Sequence, residues 1–89
     1  MEKKLLKDLM NMYFDNISVS DLAHFHDTII ESLDLKRKLE KDELYKIFIT
    51  LPQYIFWWVI KWDMNDTQVR DDIYEYIYEN KDKYKKYQK

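Results

Sequence analysis

Eighty-nine residues with a formal net charge of −2 make one domain, because what the first hydrophobic core leaves over cannot build a second. The absence of cysteine excludes disulfides and thiolate metal sites as sources of stability. Aromatic side chains, 17% of the chain, have to supply the burial instead.

The chain has no glycine and one proline. Tight hairpin turns need residues at positive φ, and only Asn or Asp could serve here; neither stands between two alternating apolar runs. The expected fold class is therefore all-α, a compact single-domain bundle of four to five short helices. The helical domain is expected over residues 1–80, with a Lys-rich tail, 81–89, that frays.

In chain order, the first helix is predicted over about residues 2–14, burying Leu5, Leu9 and Met12, with Leu6 and Tyr13 beside them and Asn16 at its end. Ser18 or Ser20 caps a second helix whose stripe is Leu22, Phe25, His26, Ile29, Ile30 and Leu33. The charged run "DLKRKLEKDE" is either an extension of that helix or a connection. Asp42 is the expected cap of a third helix with the stripe Leu44, Ile47, Phe48 and Leu51, and Pro52 stops it.

Pro52 also suits the first turn of a fourth helix, "LPQYIFWWVIKW", which holds all three tryptophans. From Tyr54 to Trp62 its only polar residue is Lys61. At 100° per residue Leu51, Ile55, Trp58, Val59 and Trp62 share one side, opposite Gln53 and Lys61. Trp58 and Trp62 are thus expected in the core, and Trp57, between the two polar residues, at the surface. "DMND" breaks this helix. Asn65 stands three residues before Gln68, at capping-box spacing, and opens a fifth helix with Val69, Ile73, Tyr76, Ile77 and Tyr84 inward.

The opposite face of the fifth helix carries Asp71, Tyr74, Glu75, Tyr78, Glu79 and Asp82 at i, i+3, i+4, i+7, i+8 and i+11. Two tyrosines among carboxylates make an amphipathic surface of the sort enriched at protein interfaces. They also fit a merely solvated helix face. Acids crowd residues 63–79 and lysines residues 81–89, which suits the helix dipole and also favours a basic partner.

Catalytic motifs are missing. His24 and His26, two apart on a helix, point away from each other and cannot share a metal unaided, and His26 falls on the apolar stripe. No phosphate-cradling glycine loop or nucleophile constellation is present, so neither enzyme activity nor a metal or other cofactor is expected. The stretch "MEKKLLKDLMNMYF" lacks the uncharged apolar centre of a secretory signal, and "YIFWWVI" is far too short to span a bilayer, so the expected location is the cytoplasm and no membrane partner is expected.

The expected function is a non-enzymatic protein-interaction module. Its binding residues are Trp57, Asp71, Tyr74, Glu75 and Tyr78, and its partner is a host protein with a basic surface or a second copy in a homodimer. Abundant lysine, isoleucine and tyrosine point to a low-GC bacterium or its mobile elements. In composition the chain resembles the small, acidic, cysteine-free accessory proteins with which phages and mobile elements redirect or inhibit host proteins. The alternative is a DNA- or RNA-binding regulator using Lys36, Arg37, Lys38 and the terminal lysines, with Tyr84 and Tyr87 interleaved as stacking platforms.

Overall fold

The computed structural model describes residues 2–88, so Met1 and the last tail position, Lys89, lie outside it. Five α-helices and a closing 3-10 segment follow one another: α1 Lys3–Asp15, α2 Val19–Leu33, α3 Lys41–Phe48, α4 Gln53–Trp62, α5 Thr67–Glu79, then Lys81–Tyr87. The all-α expectation stands, with six helical segments in place of four to five and no strand among the described residues. A radius of gyration of 12.2 Å matches the roughly 12 Å expected of a compact chain this long.

Polar side chains set most of the boundaries. Ser18 caps α2, its Oγ accepting from the Asp21 amide at 3.0 Å. Asn16 and Asn80 end α1 and α5 without a left-handed turn; each amide side chain donates to the carbonyl four residues back at 2.8 Å. With no glycine available, Asp34 and Asp63 take the positive-φ positions after α2 and α4. Asp34 therefore separates α2 from α3, and the charged run becomes a connection pinned by buried Leu35 and Leu39.

Two caps differ from expectation. Glu40, not Asp42, opens α3, in a capping box with Glu43. Asp66, not Asn65, caps α5, accepting from the Gln68 and Val69 amides. Asn65 serves as a clamp instead. Its side chain donates to buried Asp21 at 2.7 Å and accepts from Ser20 at 2.8 Å, tying the α4–α5 turn to the start of α2.

The core is organised around Phe48, whose ring lies within 6 Å of Tyr13, Phe14, Phe25 and Phe56. α2 and α5 share the most extensive helix contact, and their buried residues, Phe25, Ile29 and Leu33 against Val69, Ile73 and Ile77, carry the expected stripes. His26 is only partly buried, and its Nε2 accepts from the Leu39 amide at 3.1 Å. α1 is rotated from the expected phase. Met10 and Phe14 point inward, leaving Leu5 and Met12 exposed, because Phe14 is drawn into the rings of Phe48 and Tyr45.

Where a loose tail was expected, residues 81–88 lie against the bundle. Tyr84 and Tyr87 are buried in the 3-10 segment, the Tyr84 hydroxyl meets Thr50 Oγ1 at 2.8 Å, and Gln88 donates to the Leu33 carbonyl at 2.9 Å. Lysines at 81, 83, 85 and 86 alternate with the two tyrosines so that the charges stay in water and the rings close the bundle.

Candidate protein-interaction surface

α4 buries Ile55, Phe56 and Val59 completely. That phase turns Trp58 and Trp62 outward, contrary to expectation: they are 43% and 49% exposed, and Trp57 is 39% exposed. Phe56 holds the inward position because it fits edge-on against both Phe48 and Tyr13, in a cluster already crowded with rings. All three tryptophans, with Tyr54 and Ile60, are left on the solvent side of a ten-residue helix.

The face of α5 is arranged as its pattern implies. Asp71, Tyr74, Glu75, Tyr78 and Glu79 are exposed. The Tyr74 and Tyr78 rings stack nearly parallel, 6.1 Å between centroids and 8° between planes. Lys81 sets its ammonium 4.8 Å from the Tyr78 centroid, a cation–π contact that closes the end of the stack.

The five candidate binding residues do not form one cluster. Asp71 and Tyr74 border a polar depression of about 300 Å3 on the α2 side, where Arg70 Nη1 lies 2.7 Å from His24 Nδ1. A guanidinium only donates, so Nδ1 accepts and is not free for a metal. Glu75 borders the opposite flank of α5, toward α4. Trp57 stands on α4, its ring tilted over Phe56 at 6.0 Å.

The feature missed from sequence is a groove between α4 and α5. Trp58 and Trp62 form one wall of a depression of about 520 Å3, facing Asp66, Gln68 and Asp72 over buried Val69. A smaller depression, about 230 Å3, continues it between Tyr54 and the Asp72, Glu75 and Glu79 side of α5. Asp72 borders both, and the two depressions follow one another along antiparallel α4 and α5. Tyr54, Trp58 and Trp62 at i, i+4 and i+8 were its signal, and assigning two of them to the core concealed it.

No group of three or more potential ligands that could hold a metal occurs among the described residues. No helix there is long and apolar enough to cross a membrane. Of the residues in the alternative nucleic-acid reading, Lys36, Arg37, Lys38, Lys81, Lys83, Lys85 and Lys86 are exposed, but Tyr84 and Tyr87 are buried and offer no ring to a base. Comparison with known protein families, curated proteins and solved structures finds no match to this chain.

Proposed function

We propose that the chain is a non-enzymatic protein-interaction module that docks through the outer faces of α4 and α5, with Trp57, Asp71, Tyr74, Glu75 and Tyr78 among its contacts. The observation that carries this reading is the exposure of Tyr54, Trp57, Trp58, Ile60 and Trp62 on one helix. Half-exposed rings of this size leave roughly 500 Å2 of mostly apolar surface in water, at the upper end of what a monomer carries. That is more than half of the ~800 Å2 each partner contributes to a standard interface.

The acidic residues beside this surface favour a partner with a basic surface, through steering and through repulsion of acidic competitors. A nucleic-acid enzyme of the host is one such partner, which the module would modulate or inhibit by covering its basic surface. The low-GC composition supports an origin in a phage or mobile element. A second copy of the chain is the competing occupant.

A tagged pull-down from a low-GC bacterial lysate, run beside Trp57→Ala and Tyr74→Ala/Tyr78→Ala, tests the reading. The expected result is a host protein held by the wild type and lost from both variants, with unchanged circular dichroism. No protein held, together with a mass in light scattering that rises with concentration, would reassign the surface to a homodimer. No protein held and a constant monomer mass would remove the reading.

A further inference from the structure

We infer that the α4–α5 groove receives one short cationic amphipathic helix of the partner, its Lys or Arg side chains seated between the tryptophan wall and the carboxylates of α5. This rests on the interaction-module reading and narrows it to a partner class and a binding mode.

The groove is built for a cation. Along one side run Tyr54, Trp58 and Trp62; Trp58 and Trp62 face Asp66 and Asp72, and Tyr54 faces Asp72, Glu75 and Glu79. Among the described residues none of these carboxylates is ion-paired. The chain's own Lys61 shows what the rings attract, its ammonium lying 5.7 Å from the Trp58 centroid and 5.1 Å from that of Trp62. A cation placed between such walls meets ring quadrupoles on one side and negative charge on the other, and both attractions strengthen as the partner excludes water.

The occupant's shape follows from the walls. Both are helices, whose backbone groups are bonded internally, so an extended peptide finds no strand edge to join. Gln68 to Glu79 spans about 16 Å of α5, three turns of a docked helix. The exposed rings of Trp58 and Trp62, standing over buried Val69, take that helix's apolar stripe, and the carboxylates opposite take the basic residues flanking it. Nucleic acid is disfavoured, because its phosphates would face the carboxylates.

A second copy fits less well. The basic segments of this chain turn their apolar residues inward, Leu35 and Leu39 in one and Tyr84 and Tyr87 in the other. The exposed side of α1 sets Leu5 and Met12 beside Lys3, Lys4 and Lys7, but the carboxylate of Asp8 stands between the two apolar residues at i+3 and i−4. The two basic segments thus offer no exposed apolar stripe, and that of α1 would bring Asp8 against the carboxylates of α5.

The test uses synthetic helical peptides of about four turns with a leucine stripe flanked by arginines, titrated into the full chain by calorimetry and tryptophan fluorescence. Companion peptides replace every arginine by glutamate, or place a proline at the centre. The arginine peptide is expected to bind and to shift the emission. Its affinity should fall about tenfold or more in Asp72→Asn/Glu75→Gln/Glu79→Gln and in Trp58→Ala, and also with added salt, while Met12→Ala leaves it unchanged. The glutamate and proline peptides should not bind.

Equal binding of arginine and glutamate peptides, or indifference to the three neutralising substitutions, would overturn the inference. Absence of binding by the arginine peptide would do so as well. Self-association abolished by Leu5→Ala/Met12→Ala would give the groove to a second copy. A pull-down that succeeds while the arginine peptide fails would leave the module reading standing and remove only the groove assignment.

Discussion

Phe56 and Trp58 stand two residues apart on α4 and end on opposite sides of the boundary between core and water. Phe56 is fully buried among rings, whereas Trp58 is 43% exposed and lines a groove. The larger apolar side chain is the one left outside. Ring area alone would order them the other way, so the space around Phe48 decides. Interiors are close-packed, and a site shaped for a phenyl ring edge-on to Phe48 does not take an indole without displacing its neighbours.

The sharpest way to break this comparison is to truncate both rings. Phe56→Ala removes a fully buried ring and should cost about 3–5 kcal/mol in a denaturant titration. Trp58→Ala should cost about 1 kcal/mol or less, since much of its ring already faces water. The reverse ranking would put α4 in the phase expected from its sequence and dissolve the groove.

The phase of α4 was not legible because its two polar markers, Gln53 and Lys61, do not decide it. On a helical projection they point to a buried direction about 80° from Phe56 on one side and from Trp58 on the other. The projection opposite Gln53 and Lys61 admits either ring, and taking Trp58 and Trp62 as the inward side left Phe56 unweighed. α5 was legible because polar residues occupy more than half of its circumference, leaving one direction for Val69, Ile73 and Ile77. The candidate residues on α5 could accordingly be placed on its surface from sequence, while the groove depended on knowing which way the tryptophans turn.

The C-terminal segment repeats this lesson. Lysine-rich composition suggested fraying, but two tyrosines spaced three apart, in 3-10 turns joined by a kink at Tyr84, both reach the core. Removing residues 81–89 takes away buried Tyr84 and Tyr87 and should cost about 3 kcal/mol by thermal or chemical denaturation. Tyr84→Phe, which keeps the ring and loses the hydroxyl bonded to Thr50, should cost about 1 kcal/mol. A stable, unchanged truncated chain would return this segment to the status of a loose tail.

Asp34 offers a change of opposite sign. At φ 52° and ψ 48° it adopts the left-handed conformation that glycine takes without a steric cost, and its one ion pair, with Lys36, is almost fully in water. Asp34→Gly should raise stability by about 0.5–1 kcal/mol, relief of the native conformation outweighing the greater freedom of the unfolded chain. Destabilisation would mean that the aspartate side chain secures the α2–α3 turn.

The smallest effect concerns the start of α3, which is held by charge where α4 is held by rings. Arg37 forks onto Glu43 at 3.1 and 2.9 Å, and the same carboxylate accepts from the Glu40 amide at 3.0 Å. The Arg37 hydrogen bonds first, then the Glu40 amide, bring the Glu43 carboxyl down from its ordinary 4.5 to about 2. A carboxyl depressed in the folded state binds its proton more readily once unfolded. Its contribution is thus complete above pH 4.5 and is lost as pH falls toward 2. Glu43→Gln retains an acceptor for the Glu40 amide but has no charge to lose. Denaturant titrations at stepped pH should therefore show the wild type losing its advantage over Glu43→Gln across that interval and the two converging near pH 2. Parallel curves would show that the fork does not persist in solution, leaving the α3 start to the capping box alone.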